Sequence, residues 1–219
     1  MTTPFYQQVK DRFQLGPSLH MTNLDNLADI LKEKGFHSFN QMAARSYSKL
    51  SNDEVQSGRA TKTVSVSGKL LHDYVPLYFG WKTPMVAYNQ DKNEEILFFR
   101  FSLEILQIEG VVFSDGNGRS NDTKFFSFNN IDDLKVLDAR TINSVKWNDI
   151  LDPDKKRRKQ AEILVPDFLP LTQLLEIIVF SESSELKALA LQTQFGTTIP
   201  VRVNTGFYFK DSISGAQKP

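Results

Sequence analysis

Short apolar runs, spaced through the second two-thirds of the chain and nowhere long, decide what this sequence can fold into. They fall at residues 75–79, 96–101, 111–113, 163–165, 177–180, 200–203 and 207–209, and Val, Ile and Phe dominate them. Runs of this length and composition favour strands over helices. Helical patterns are fewer, at 84–88, 102–107 and 185–194, with a further helix expected over 23–35. In that segment Asn23 can cap the start, Leu24, Leu27, Ile30 and Leu31 share a face, and Gly35 suits the stop. Residues 18–22 before it read as a strand that brings His20 to the helix entrance. The sum is an α+β fold, a mixed and mostly antiparallel β-sheet with peripheral helices. No internal repeat or low-complexity linker divides the chain, so 1–219 reads as a single domain.

Two long polar stretches interrupt the pattern. Residues 36–68 carry little apolar periodicity, and such segments inside a compact domain are usually functional or mobile. Residues 115–160 hold one weak helix signal, at 131–137, and read as a substrate-reading excursion that ends at the strand carrying Glu162.

Composition narrows the function. No apolar stretch reaches the roughly 18–20 residues that cross a bilayer, and the start, MTTPFYQQVKDRFQ, is too polar for a secretory leader. With no cysteine there is neither a disulfide framework nor a thiolate metal site. The expectation is a cytoplasmic protein without a membrane partner. Lys plus Arg and Asp plus Glu are both 26, which excludes a surface that coats nucleic acid as a whole. Phosphate contact would need a local patch, and the run Lys155-Lys156-Arg157-Arg158-Lys159 is the dense candidate, with Trp147 and Phe125–Phe126 near enough in sequence to stack bases. Of that run, Lys155, Arg157 and Arg158 are the expected DNA-binding residues.

The common nucleotide and metal signatures are missing. There is no GxGxxG, no GxxxxGK[ST], no HExxH and no CxxC, and His20, His37 and His72 are far apart, so no metal is expected. What remains is an ordered set of segments: His20 in LHMTNLDNL, Arg59 in the polar stretch, then LHDYVPLYFGWKTPMVAY, FSDGNGRSNDTKFF and KRRKQAEILVP. In order and wording these resemble the DarT family, toxins that ADP-ribosylate DNA with NAD+. The resemblance runs from about His20 to the GFYF segment, and the HDYVPLYF, FSDGN and RRKQAE segments are specific together. Trp81-Lys82-Thr83-Pro84-Met85 departs from the family's Ser-Pro-Met run, with Thr83 keeping a hydroxyl.

The resemblance implies an ADP-ribosyltransferase fold, a split sheet around a nicotinamide pocket. It implies NAD+ as co-substrate, with His20, Thr22, Asn26, Arg59, Tyr78 and Tyr88 binding it, and Glu162 and Arg59 catalytic. It also implies transfer to a thymine N3 of single-stranded DNA, and a macrodomain antitoxin as partner. The chemistry suits these residue types. Loss of nicotinamide makes the ribose oxocarbenium-like, and a facing carboxylate stabilises that charge. Arginine stays protonated, so Arg59 suits an anion-stabilising role and Glu162 the proton transfer. A flat cationic pyridinium suits aromatic walls, and the helix start after His20 suits a phosphate. Read singly, Glu162 is an ordinary strand glutamate, Arg59 a loop charge, His20 a structural histidine and Phe79 a core aromatic. Other readings are an ADP-ribosyltransferase acting on RNA, on protein or on another DNA base, and a non-enzymatic nucleic-acid binder. The intact set of His20, Arg59 and Glu162 argues against the last.

Overall fold

The computed structural model describes residues 3–42, 45–51 and 53–209; the ends of the 1–219 span, residues 1–2 and 210–219, lie outside them. In chain order the elements are α1 (Phe5–Phe13), β1 (Ser18–Asn23), α2 (Leu27–Glu33), β2 (Gly35–His37), α3 (Asp53–Ala60), β3 (Tyr74–Tyr78), α4 (Pro84–Tyr88) and β4 (Ile96–Phe101). They continue with β5 (Val112–Ser114), β6 (Phe125–Ser127), α5 (Ala139–Asn143), α6 (Lys155–Arg158), β7 (Glu162–Pro166), β8 (Phe168–Pro170), β9 (Leu174–Val179), α7 (Glu182–Phe195) and β10 (Val201–Val203). Eight strands form one sheet in the order β10-β9-β4-β1-β3-β7-β5-β6, and β2 pairs β8 in a separate ribbon. Every neighbour in the large sheet is antiparallel except β10 on β9. The mixed, mostly antiparallel α+β architecture is therefore the observed one.

β4, ILFFRF, is central and covered on both faces. Its odd-numbered residues Leu97, Phe99 and Phe101 join the main core with Leu27 and Leu31 of α2 and Ala188 of α7. Ile96 and Phe98 enter a second cluster with Val86, Ala87 and Tyr208. A strand reads as a continuous apolar run, without alternation, when both faces are buried in this way.

The sheet is split between β1 and β3. β1 pairs β4 along its whole length, and β3 pairs β7 over five residues, but β1 and β3 meet only at Leu19↔Tyr78. Beyond that pair the His20 side chain bridges the gap, its Nδ1 2.9 Å from the Pro76 carbonyl.

Several elements differ from the sequence expectation. Asn23 stays in β1; its Oδ1 accepts from Asp25 N, and the first turn after it winds as a 3-10 helix before α2 begins. α2 then ends at Lys34, which adopts a left-handed conformation at φ 58°. Gly35 is thereby free to open β2, where any Cβ would collide with the Phe168 ring and the Leu169 carbonyl. Residues 207–209 are not a strand, because Asn204 folds this stretch into a 3-10 turn by accepting from Gly206 N. Residues 102–107 and 131–137 are likewise 3-10 turns, over Leu103–Gln107 and Ile131–Val136. The polar stretch 36–68 contains α3, and Phe5, Val9 and Phe13 at helical spacing make α1. Among the described residues no helix is long and apolar enough to cross a membrane, and no cluster of three or more His, Cys, Asp or Glu is arranged around a metal position.

Candidate active site

The split opens a cavity of about 260 Å³. His20 and Thr22 from β1, Asn26, Tyr78 from β3 and Arg59 from α3 line it, and residues within 36–42 and 45–51 form its outer wall. Five residues expected to hold NAD+ therefore converge on one space. Tyr88 is not among the lining residues. In α4 the inward positions are taken by Val86 and Ala87, and Tyr88 is left 41% exposed. Met85 reaches the cavity from the same helix.

Glu162 opens β7 opposite Tyr78 and has no exposed surface. Its carboxylate would be costly to bury unpaired, and three donors meet it. Arg59 Nη1 donates to Oε1 at 3.0 Å and Nη2 to Oε2 at 2.9 Å. The Gly118 N–H donates to Oε1 at 3.0 Å. Burial alone would lower the Arg59 pKa, but the Glu162 carboxylate outweighs it and holds the guanidinium above its ordinary range. The phenol of Tyr78 is pushed up, first by burial and then by the negative charge of Glu162. The centre thus presents a fixed carboxylate, a permanent cation and a neutral phenol.

The two motif segments around Glu162 belong together because they touch. Ser114 Oγ accepts from Glu162 N at 3.2 Å and donates to the Gly116 carbonyl at 2.7 Å. Asn117 Nδ2 donates to Gln160 Oε1 at 3.1 Å, and Arg157 pairs with Asp115 at 2.8 Å. A Cβ on Gly116 would meet the Arg157 side chain, so glycine permits this wrapping.

Among the described residues His20 has one nitrogen without a hydrogen-bond partner. The Pro76 carbonyl can only accept, so Nδ1 carries the proton and Nε2 keeps a lone pair. Burial lowers its pKa, with the Pro76 contact opposing, which keeps the ring neutral at pH 7. The ring packs on Phe36 with centroids 4.5 Å apart. Asn26 works as a clamp: its Nδ2 donates to Thr22 Oγ1 and to the Ser48 carbonyl, both at 2.9 Å, and its Oδ1 accepts from Ser48 N at 2.8 Å. It thereby ties the outer wall to the strand that carries His20. The start of the following helix is a 3-10 turn already capped by Asn23, so the phosphate place expected there is filled by the chain's own cap.

Residues that sequence reasoning passed over complete the wall. Phe39 stacks on His72 at 4.1 Å, and His72 Nε2 meets Gln56 Oε1 at 3.0 Å, one turn before Arg59 on α3. Burial lowers the His72 pKa and the charge of Arg59 lowers it further. The HDYVPLYF motif contained His72, but its partner lies in the weakly patterned stretch, so only the fold joins them.

The basic run is not a free patch. Lys155 pairs with Asp149 at 3.4 Å, Arg157 with Asp154 at 2.7 Å as well as with Asp115, and Arg158 with Asp152 at 2.5 Å. Lys159 is fully buried and donates to the Ile142 carbonyl. The charges of Lys155, Arg157 and Arg158 are thus already met by aspartates, while Lys159 is held by a carbonyl. Of the aromatics, Phe125 is core, Phe126 stacks on Phe113 at 5.3 Å, and Phe79 is buried.

Residues 19–209 match the family model described as ssDNA thymidine ADP-ribosyltransferase, DarT. The chain is 31% identical over 189 residues to a DNA ADP-ribosyl transferase of Thermus sp. (strain 2.9), a match covering 82% of this chain and 88% of that protein. It superposes on the solved structure of Thermus sp. 2.9 DarT in complex with ADP-ribosylated ssDNA with a TM-score of 0.81 at 28% identity, over 88% of this chain and 96% of that one. The NAD+ complex of the same Thermus protein gives 0.76 at 28% identity, over 88% and 97%.

Proposed function

This chain belongs to the DarT family and is an NAD+-dependent DNA ADP-ribosyltransferase; from that premise we propose that it transfers ADP-ribose to N3 of thymine in single-stranded DNA, as the toxin of a toxin–antitoxin pair acting in the cytoplasm. The observation that carries the reading is the buried, doubly bonded Arg59–Glu162 pair, whose arginine lines the same cavity as His20 and Tyr78 while the carboxylate lies directly behind it.

In the proposed reaction the glycosidic bond between ribose C1 and the pyridinium nitrogen breaks, and nicotinamide leaves with the electron pair. The Glu162 carboxylate, fixed by Arg59 and Gly118, faces the positive charge that develops on the ribose. Fixed electrostatic partners of this kind commonly contribute about 3–4 kcal/mol. Thymine N3 loses its proton to Glu162, which passes it to solvent, and the nitrogen lone pair forms the new bond to C1. Arg59, its charge held in place by Glu162, stabilises the base anion. N3 lies in the Watson–Crick pair, so a single strand presents it without the unpairing cost of a duplex. His20 Nε2, Thr22 and Tyr78 are the groups proposed to take the ribose and carboxamide, with Phe36 and the Phe39–His72 stack as apolar wall. Released activity of this kind damages the host's own DNA, which supports a macrodomain antitoxin as the partner.

The test offers NAD+ together with a single-thymine oligonucleotide, its N3-methylthymine analogue, the corresponding duplex and an RNA. The single-stranded thymine oligonucleotide should gain the mass of one ADP-ribose and the other substrates little or none. Undiminished transfer to the N3-methyl analogue would remove N3 as the acceptor, and transfer to RNA at the rate for DNA would remove the DNA preference.

A further inference from the structure

The helix that carries Arg59 has no buried apolar side chain: of the eight residues of α3, Arg59 alone is buried. An isolated helix of that length is unstable in water, so polar ties have to place it. Glu54 meets Arg119 at 3.1 Å, but that pair is exposed and contributes little. The chain just beyond the helix is tied through its backbone, Leu71 N donating to the Lys62 carbonyl at 2.8 Å. That bond fixes where the helix ends and leaves its rotation about its own axis open. Two cavity-lining side chains set the rotation. Arg59 holds Glu162, and Gln56, one turn earlier on the same face, holds His72 at 3.0 Å. We propose that His72 is a positioning residue for the transfer reaction, its Nε2–H holding Gln56 so that α3 presents Arg59 squarely to Glu162.

The arrangement at His72 suits a fixed donor. Gln56 Oε1 can only accept, so His72 Nε2 carries the proton, and the other end of the same amide donates to Ser51 Oγ at 2.5 Å. The imidazole is itself held on two sides. Its ring stacks on Phe39 with centroids 4.1 Å apart, and its carbonyl accepts from Asn40 N at 3.1 Å. Asn40 Nδ2 also donates to Asp73 Oδ1 at 2.6 Å, so the turn Leu71–Asp73 is clipped to the cavity wall before it enters β3. β3 in turn carries Tyr78 opposite Glu162. His72 thereby refers the helix of Arg59 to the strand pair that holds Glu162. An arginine side chain has enough rotatable bonds to keep its charge near a carboxylate while its helix turns. Without a second tie the double bond to Glu162 is therefore free to become a single one, and the Gln56–His72 contact removes that freedom.

The inference rests on the DNA reading above, and its test lets the two fail separately. His72→Phe keeps a ring for Phe39 to stack on and deletes the donor. In the full chain, with NAD+ and a thymine oligonucleotide, it should lower kcat about tenfold, as expected for an arginine displaced by part of the 1 Å that costs about a hundredfold. KM for NAD+ should change by less than about twofold, because the wall is left standing. His72→Gln places an amide nitrogen the same number of bonds from Cβ as Nε2 and should recover most of the loss. Gln56→Met should lower kcat to a similar extent, and combining it with His72→Phe should add little. The route through Arg59 is read without turnover, by NMR of isotope-labelled arginine guanidinium groups. The Arg59 signals, assigned by their loss in Arg59→Lys, should be sharp and distinct in the parent, merge in His72→Phe as the pair loosens, and separate again in His72→Gln. Additive losses in the double variant, or Arg59 signals unchanged in His72→Phe, overturn the proposal, as does a rise in KM for NAD+ as large as the fall in kcat. Failure of the parent to modify any oligonucleotide would instead sink the function, while the guanidinium signals still decide whether His72 places Arg59.

Discussion

The guanidinium of Arg59 lies against the carboxylate of Glu162 across 103 residues of chain, Nη1 to Oε1 at 3.0 Å and Nη2 to Oε2 at 2.9 Å, with both side chains shielded from solvent. The pair joins the last turn of a short polar helix to the first residue of an inner strand. It is at once a structural tie and the charged pair behind the cavity, because the same contacts that satisfy the buried arginine fix the carboxylate to which the proposed reaction gives the ribose.

That dual role separates stability from activity in a double-mutant cycle. Glu162→Leu leaves a buried guanidinium unpaired and should lower stability by about 3–5 kcal/mol, together with loss of DNA modification. Arg59→Met should do the same in reverse. The double variant Arg59→Met with Glu162→Leu should recover much of the stability and none of the activity. Thermal melting of the three proteins checks this, and strictly additive losses would show that the two side chains do not act as a pair.

The sheet was readable from sequence because its central strands are covered on both faces, as Ile96–Phe101 shows, and a continuous apolar run survives without any knowledge of partners. That Glu162, His20 and Tyr78 come near one another was legible because each lies in a worded segment that the fold joins to another, Tyr78 opposite Glu162 and His20 on Pro76. Arg59 could be placed only by order: α3 buries Arg59 and little else, so nothing periodic announces it. Tyr88 was misplaced because which side of a five-residue helix faces the core depends on packing, here on Val86 and Ala87. The run 155–159 misled for an electrostatic reason. Asp152 and Asp154 stood next to it in sequence, but Asp115 and Asp138 reach it only through the fold.

Gly118 sets the position of the carboxylate from the other side. Its N–H donates to Glu162, and a Cβ there would stand 3.0 and 3.2 Å from the two Leu71 methyls and 3.5 Å from Glu162 Oε2. Leu71 is 1% exposed and has little room to retreat. Gly118→Ala should therefore shift the donor by a few tenths of an ångström and lower kcat by about tenfold, given that misplacements near 1 Å cost about a hundredfold. KM for NAD+ should change less. Steady-state kinetics on a thymine oligonucleotide would show it, and an unaltered kcat would mean that the Gly118 contact does not position Glu162.

His20 sets an acid limit. Burial keeps its pKa below the ordinary 6.5, so the ring stays neutral in the folded protein where the unfolded chain already takes up a proton. Its contribution to stability is present above pH 6.5 and fades as the pH falls through the depressed value. The Nε2 lone pair that the proposed function gives to NAD+ is lost as the ring takes up its proton. KM for NAD+ should be flat from pH 8 to 6.5 and rise below it, and His20→Asn should remove that rise. A limb that persists in His20→Asn would assign it to another group, with His72 the first to examine.

Lys159 runs the opposite way in pH and tests what its burial costs. It has no exposed surface, donates to the Ile142 carbonyl at the end of α5, and lies 5.6 Å from the ring centre of Trp81. Burial, reinforced by Lys155, lowers its pKa from 10.5 to about 8. Between those values the unfolded chain binds a proton that the folded protein has released, so stability grows as the pH rises from about 8 to 10.5. Below pH 8 the folded protein carries the full cost of a buried ammonium. Lys159→Met fills nearly the same space without the charge. It should melt at or above the parent temperature at pH 7, and the difference should close as the pH climbs through the window, because the parent gains stability there and the variant does not. A variant that melts well below the parent at pH 7 would show that the bond to Ile142 and the contact with Trp81 outweigh desolvation, and that α5 depends on this lysine to stay docked on α6.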